Sequence, residues 1–292
     1  MLFNSFSFFV FFPCVCLGIL IVPKKLRCFW LFLASLVYYL SWGPGMIVYI
    51  AFTSLTTYGS GRMISYLTRQ NHPKEQMGKR MILILCLLIN FGILGFFKYA
   101  GFLTENLNQL LQAMGIAPVK AFSSLAMPVG ISFYTFQTVG YLIDVYRGEV
   151  EAEKNVLIYA LFSFFFPSVV SGPIGRAGEL LPQFRSLKEK KLWNWDRIFR
   201  GIVLMLWGFF LKLVIADRIA LFVNEVFDEY WLYGTVELVL AAVSYSIQLY
   251  CDFASYSLMA LGAAQILGIT LIDNFDVPYF TKSIPEFWRR WH

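Results

Sequence analysis

The residues best suited to acid–base chemistry lie near the end of the sequence, in Pro285-Glu286-Phe287-Trp288-Arg289-Arg290-Trp291-His292. A neutral imidazole can take the proton of an attacking hydroxyl near pH 7, which makes His292 a candidate general base. Arg289 and Arg290 are suited to hold an anionic donor or to pair with neighbouring carboxylates. A simpler interpretation is a belt of Trp and Arg side chains at the lipid headgroups.

Two stripes of polar residues recur at helical spacing within otherwise apolar stretches. The stripes are Tyr134, Gln137, Tyr141 and Asp144, and Ser244, Gln248, Asp252 and Ser255. Lipid cannot satisfy polar groups, so each stripe faces the protein interior or water. Each either serves only hydrogen bonding between helices or lines an internal pathway. Because an unpaired carboxylate at membrane depth is costly, Asp252 is expected to pair with Arg289 or Arg290.

Other reactive residue types form no recognisable site in the sequence. The cysteines lie in or beside apolar runs without C-x-x-C spacing, so we interpret them as buried apolar residues and predict no metal site. His72 lies in a polar, turn-like loop and is interpreted as a surface histidine. Lys212 lies near the end of a predicted span, where its ammonium group is expected to reach the membrane interface.

Composition assigns these residues to a membrane protein. The 292 residues are 58% hydrophobic and 14% charged, against about 45–50% and about 25% in soluble domains. The fold class predicted is therefore all-α, a polytopic transmembrane helical protein. The net charge of +6 is attributed to cytoplasmic loops and not to nucleic-acid binding. Spans are predicted at roughly 5–23, 27–42, 44–61, 81–97, 126–146, 155–172, 199–217 and 235–252, with an amphipathic interfacial or partly inserted helix at 100–118.

Lysine and arginine residues predict the orientation of these spans, because they accumulate in short cytoplasmic loops. The basic residues of 24–27 assign the first loop to the cytoplasm and the N-terminus to the outside. The basic stretches 62–80 and 174–200 are also assigned to the cytoplasm. The acidic loop 224–234 is assigned to the outer face.

If every predicted span from residue 81 onward crosses the membrane once, the basic stretch 174–200 lies outside. This result conflicts with the orientation assigned from the charges. Either one segment does not cross cleanly, or 100–118 crosses as well. We expect a re-entrant element at 164–175, since its proline and glycine residues are poorly suited to a regular helix. Irregular backbone at membrane depth persists only inside protein or beside a cavity, so the segment is a first indication of an internal tunnel.

Several motifs occur in an order that resembles a known family. They are MPVGISFYTFQTVGYLIDVYRGE (127–149), FFPSVVSGPIGRAGELLPQF (165–184), DFASYSLMALGAAQILG (252–268), DNFDVPYF (273–280) and SIPEFWRRWH (283–292). Together they resemble the membrane-bound O-acyltransferase (MBOAT) family, and within it the bacterial alginate O-acetyltransferase branch. The resemblance covers the whole chain. One departure is Leu258, which stands where relatives often carry Asp in the pattern Y-S-D-M-A.

The resemblance implies an MBOAT-type fold with a tunnel joining the two sides of the membrane. Two histidines are associated with activity in the family; one falls on His292, and the second is expected downstream of this chain. Residues 1–292 are therefore interpreted as the N-terminal and central part of a single, C-terminally truncated MBOAT domain, inactive by itself. The residues expected to line the tunnel are Trp288, Arg289, Arg290, Trp291, Asp252, Gln248 and Asn274.

The function predicted is transfer of acetyl from a cytoplasmic thioester donor towards hydroxyls of an extracytoplasmic polysaccharide, alginate-like or another cell-surface polymer. The implied donor is acetyl-CoA or an acyl carrier, with no bound cofactor. Implied partners are membrane lipid, the polysaccharide and a periplasmic or extracellular acetyltransferase, and the implied location is the cell inner membrane. The alternatives are a non-catalytic relay or scaffold subunit, and a transporter of acyl groups or acylated polymer. A transporter built from inverted repeats often shows matched interrupted segments in its two halves. The sequence has none, which counts mildly against a transporter.

Overall fold

The structure, a computed structural model, describes residues 1–70, 75–119 and 127–291. Over these residues the fold is all-α, as predicted, and the only extended pairing is an isolated antiparallel bridge between Phe275 and Trp291. The α-helices are α1 (Phe6–Ile21), α2 (Arg27–Leu40), α3 (Ile47–Gln70), α4 (Glu75–Ala113), α5 (Ile131–Arg147), α6 (Val156–Phe164), α7 (Phe166–Val169), α8 (Ala177–Arg185), α9 (Trp195–Phe210), α10 (Asp217–Asp228), α11 (Thr235–Ile266) and α12 (Ile284–Arg290).

Three helical stretches are long and apolar enough to cross a membrane. They are α4, α11 and the continuous run Trp195–Asp228, in which a π-helical segment (Leu211–Ala216) joins α9 to α10. Only 17% of the most apolar window of α4 is buried within the chain, and 22% in the other two. Such exposed apolar faces are stable when they contact lipid, so the chain is a helical membrane protein.

The stretch 100–118 is not the separate interfacial helix that its amphipathic pattern predicts. Residues up to Ala113 continue α4 without interruption. Its polar side chains do not end the helix because they bond to the preceding turn. The Thr104 hydroxyl donates to the Ala100 carbonyl at 2.6 Å, and the Asn106 amide donates to the Phe102 carbonyl at 2.7 Å.

Helix α11 is longer than predicted, since it ends at Ile266 and not at residue 252. Residues 253–266 are rich in Ala, Leu and Met, which favour helix. The helix is terminated by Gly268, two residues beyond its last helical residue, whose φ of 86° is the left-handed conformation that favours glycine. There the Gly268 N–H donates to the Gln265 carbonyl and the Ile269 N–H to the Ala264 carbonyl, a Schellman motif.

The predicted irregularity after residue 164 is confirmed. Helix α6 ends at Phe164, and the single turn α7 ends at Val169 before a non-helical segment. The Phe166 N–H donates to the Ser35 hydroxyl at 3.2 Å, so part of the interrupted backbone is satisfied by another helix. Whether the segment re-enters the membrane stays a prediction.

The chain forms two compact units. Unit 1 comprises Met1–Leu31, Ser171–Gly175 and Ser186–His292, and unit 2 comprises Phe32–Val170 and Arg176–Arg185. In unit 2, the buried Tyr159 hydroxyl bonds to that of Thr57 at 2.7 Å. In unit 1, α1 packs on α9 through Phe9 and Phe209, whose ring centroids lie 5.2 Å apart.

Close packing of α9 against α11 forms the framework of unit 1. A Cβ added at Gly201 would lie 2.8 Å from the Gly262 carbonyl oxygen, and one at Gly208 would lie 2.8 Å from the Ser255 carbonyl oxygen. Small residues that let helix backbones approach this closely are typical of packing within membranes. The contact holds the polar stripe of α11 at a defined position beside α9 and the π-helical segment.

Candidate functional site

An aromatic cluster anchors the segment that follows α11 and carries the predicted site. The Trp291 ring lies 5.2 Å from Phe275, 5.4 Å from Phe287, 6.0 Å from Tyr279 and 6.1 Å from Tyr250, measured between centroids. Such aromatic pairs contribute about 0.5–1.5 kcal/mol each beyond burial. Trp291 therefore joins the 273–280 segment, α11 and α12, and it is a packing residue in this structure.

Helix α12 is held at its start by a capping arrangement centred on Glu286. The Ser283 hydroxyl accepts from the Glu286 N–H at 3.3 Å, and the Glu286 carboxylate accepts from the Lys282 N–H at 3.0 Å. The hydrogen bond from Lys282, together with the guanidinium of Arg290, lowers the pKa of Glu286. The pattern Ser-x-x-Glu is a capping signal that the sequence contains.

Arg290 is not the partner of Asp252. Its Nη2 donates to Glu286 Oε1 at 2.8 Å, an ion pair between residues four apart on one helix. Its backbone carbonyl accepts from the Asp276 N–H at 3.0 Å, which joins α12 to the preceding segment. The neighbouring Arg289 is exposed, as is Trp288. Of the two arginines, Arg289 is therefore the one whose side chain is accessible to an anionic group.

The cation beside Asp252 is Lys212. Its Nζ lies 2.5 Å from Asp252 Oδ1 and 2.9 Å from Asp217 Oδ1, and its side chain is only 16% exposed. The interfacial position predicted for the Lys212 ammonium group stays a prediction, whereas the prediction that Arg289 or Arg290 pairs with Asp252 is wrong. The reason is geometric: Lys212 lies in the π-helical segment that packs against α11, and π-helical turns often mark functional sites.

The other predicted polar residues of unit 1 lie on α11 and just beyond it. Gln248 precedes Asp252 by one helical turn, and its Oε1 is buried without a hydrogen-bond partner among the described residues. Asn274 Nδ2 is likewise buried and has no hydrogen-bond partner in the part of the chain that the structure describes. Lipid does not supply hydrogen-bonding groups, so each of these two atoms requires a partner that the described residues do not supply.

A cavity of about 170 Å³ in unit 1 brings Asn274 together with side chains that the predicted site omits. Its α11 wall follows one helix face, with Ser257 and Leu258 among the contributing residues. The remaining wall comes from α9, the start of the π-helical segment and the 273–277 stretch. The full lining is Trp207, Leu211, Tyr250, Ala254, Ser257, Leu258, Leu261, Asp273, Asn274, Phe275 and Val277.

Most of the first polar stripe, in unit 2, is buried, and two of its four side chains bond to neighbouring elements. The Gln137 amide donates to the Phe162 carbonyl at 2.6 Å, and the Tyr141 hydroxyl accepts from the Glu153 N–H at 3.0 Å. Glu153 is itself 4% exposed and accepts from the Arg185 guanidinium at 2.7 Å. These contacts favour the simpler interpretation for this stripe, which is hydrogen bonding between elements.

Comparison with known proteins shows which family the chain resembles. Residues 153–292 match the model of MBOAT, the membrane-bound O-acyltransferase family. The whole chain is 34% identical to the probable alginate O-acetylase of Pseudomonas aeruginosa and 33% identical to the peptidoglycan O-acetyltransferase of Helicobacter pylori. The chain is similar to membrane-bound O-acyltransferases over these residues, and the resemblance read from its motifs is confirmed.

The chain spans 54% of the length of the Pseudomonas relative and 59% of the Helicobacter relative. It is also 30% identical to the teichoic acid D-alanyltransferase of Bacillus subtilis, over 56% of this chain and 41% of that protein. By their names, all three relatives transfer acyl groups.

Both histidines of the sequence, His292 and His72, lie outside the described residues. The general-base role of His292 therefore stays a prediction. Lys212 and Ser257 are residues that the sequence reading did not place at a site. Lys212 had a signal, a lysine within an apolar helix close to Asp217. Ser257 had none, because a serine on a membrane helix usually bonds to its own backbone.

Proposed function

We propose that this chain is part of a multi-pass membrane O-acyltransferase that moves an acetyl group from a cytoplasmic thioester donor towards hydroxyls of an extracytoplasmic polysaccharide. The supporting observation is that the full chain aligns, at 34% and 33% identity, with proteins named as a probable alginate O-acetylase and a peptidoglycan O-acetyltransferase. We place the protein in the cell inner membrane, with acetyl-CoA or an acyl carrier as donor and a periplasmic or extracellular acetyltransferase as a further partner.

In the proposed reaction, His292 acts as the base. Its imidazole takes the proton of the acceptor hydroxyl, whose oxygen attacks the thioester carbonyl carbon. The carbon–sulfur bond breaks, and the thiolate leaves with the proton returned by the imidazolium, which yields an ester and a free thiol. Arg289, which is exposed, is assigned to an anionic group of the donor, whereas Arg290 is paired with Glu286 on the same helix.

The test replaces His292 in the protein expressed from its own gene in native membranes. Acetyl transfer by His292→Ala is expected to fall by about 10²–10⁴-fold, the usual contribution of a general base. The sequence offers a matched control, His72→Ala, because it contains 2 histidines; this variant is expected to retain activity. The readout is ester-linked acetate on the cell-surface polymer. Full acetylation by His292→Ala would remove His292 from the chemistry.

A second measurement separates a catalyst from a relay or scaffold subunit. The purified membrane protein is incubated with acetyl-CoA, or with an acetylated carrier protein, and released thiol is measured over time. A catalyst that activates the thioester releases thiol in the absence of polymer, with a rate that depends on His292. Thiol release at the background rate with both donors, while acetylation in cells requires the protein, supports a relay that acts only with its partner.

A further inference from the structure

The cavity beside α11 contains two polar groups that the protein leaves unsatisfied. Ser257 is 2% exposed, and its Oγ has no hydrogen-bond partner among the described residues. Asn274 Nδ2 is also buried and has no hydrogen-bond partner among the described residues. An unmade hydrogen bond at a buried group costs about 1–3 kcal/mol, so two in one cavity call for an occupant.

The two groups specify the chemistry of that occupant. An amide Nδ2 can only donate, and a serine hydroxyl can donate as well, so both are satisfied by an acceptor oxygen. The other walls are mainly apolar, from Leu211, Ala254 and Leu261. The exposed carboxylate of Asp273 also lines the cavity and disfavours an anion. A neutral carbonyl with a short apolar chain fits these conditions, whereas a phosphate or carboxylate does not.

The volume limits the length of that chain. A cavity of about 170 Å³ holds roughly five groups the size of a water molecule. An acyl group of roughly two to four carbons fits, while a long fatty-acyl chain exceeds the space. The exposed side chains of Trp207, Asp273 and Val277 lie among the lining residues, so the cavity reaches the surface of unit 1.

We propose that the Ser257–Asn274 cavity binds the carbonyl oxygen and short alkyl chain of the acyl group carried by the thioester donor. This inference rests on the proposed function and extends it, because it assigns the choice of a short acyl group to residues on α11 and the 273–277 segment. Ser257 and Asn274 act as binding residues for the acyl carbonyl.

The test compares two non-transferable probes that differ in the carbonyl group alone. S-acetonylpantetheine carries a ketone oxygen beyond the sulfur, and S-propylpantetheine has a methylene in that place. Their dissociation constants are measured by calorimetry on the native full-length protein in detergent. The unsubstituted protein is expected to bind the ketone roughly tenfold more tightly, the gain from one to two neutral hydrogen bonds.

Three variants locate the preference. Ser257→Ala and Asn274→Leu are each expected to reduce the ratio of the two dissociation constants towards one. Ala254→Leu fills the cavity and is expected to weaken binding of both probes by roughly tenfold or more. The control is Ser163→Ala, a buried serine of unit 2 whose hydroxyl donates to the Tyr159 and Ala160 carbonyls; it should leave the ratio unchanged.

The outcomes separate this inference from the proposed function. Equal affinity for the two probes in the unsubstituted protein, or a ratio unaffected by Ser257→Ala and Asn274→Leu, overturns the acyl site and leaves a cavity that holds water only. Failure of both probes and of acetyl-CoA to bind the unsubstituted protein contradicts the thioester donor itself. Probe binding with the expected ratios, in a protein that transfers no acyl group, retains the acyl site and contradicts only the catalytic role.

Discussion

The ammonium group of Lys212 lies between the carboxylates of Asp217 and Asp252, and most of its surface is removed from solvent. Removing one partner of a buried ion pair costs about 3–5 kcal/mol. The cost is smaller here, because the Asp217 and Asp252 side chains are 43% and 46% exposed. The ion pair thus positions the polar face of α11 relative to the π-helical segment, and its loss is expected to have a moderate energetic cost.

At the residue scale we therefore expect Lys212→Met to destabilise the protein by about 1–2 kcal/mol, measured by thermal unfolding in detergent. Adding Asp252→Asn to that variant should recover part of the loss, since it removes one uncompensated charge. The exposed Lys25 supplies the control, and Lys25→Met should change stability by less than about 0.5 kcal/mol. Equal stability of Lys212→Met and Lys25→Met would mean that the ion pair has no role in the fold.

Two of the ion pairs in unit 1 illustrate which side-chain partners a sequence can reveal. Glu286 and Arg290 are four residues apart on one helix, so their pairing follows from helical geometry alone. Lys212 and Asp252 are separated by 40 positions. Their contact depends on the packing of α11 against the π-helical segment, which no local pattern encodes. The general base proposed at His292 rests on motif resemblance.

At the scale of elements, the contact between α9 and α11 depends on glycine at positions 201, 208 and 262. A Cβ at residue 262 would approach the Gly201 carbonyl oxygen and lie 2.6 Å from Met205 Cγ and 2.9 Å from the Met205 amide nitrogen. Backbone atoms cannot yield as a flexible side chain can, so the two helices would have to separate. Ser257 and Asp252 lie on the same α11 helix and would shift with it.

We therefore expect Gly262→Ala to destabilise the protein by about 1–3 kcal/mol, the range observed for overpacked interiors. Gly95 on α4 is the matched control, because a Cβ there meets nothing within 4 Å. Gly95→Ala should be neutral or stabilising by up to about 1 kcal/mol, as expected from helix propensity. Thermal unfolding in detergent measures both variants, and an equal or stabilising effect of Gly262→Ala would contradict the close helix contact.

Among the elements, long apolar helices were the most predictable part and helix ends the least. Hydropathy identifies α4, α9 and α11, because each must present apolar side chains to lipid along much of its surface. It placed the end of α11 too early, because polar residues near Asp252 resemble the end of a span. Those polar groups face Lys212 and the helix interior, which only the tertiary packing shows.

At the scale of the whole molecule, the interrupted helix α6–α7 removes a conflict in the predicted topology. Helix α6 has 9 residues and is about 14 Å long, too short to cross a hydrocarbon core of about 30 Å. If this segment does not cross while the other predicted spans do, the basic loops 24–27, 62–80 and 174–200 all lie on the cytoplasmic side. The acidic loop 224–234 then lies outside, in agreement with the distribution of charge.

This topology predicts which engineered cysteines a membrane-impermeant maleimide can reach. Lys188 and Glu229 are both exposed, one in each kind of loop. Glu229→Cys should be labelled in intact spheroplasts, whereas Lys188→Cys should be labelled only after the membrane is permeabilised. The unsubstituted protein measures the background from its 5 natural cysteines. Labelling of Lys188→Cys in intact spheroplasts would mean that α6–α7 forms part of a true crossing. It would also place the basic loop on the acceptor side, where it could not contact a cytoplasmic donor.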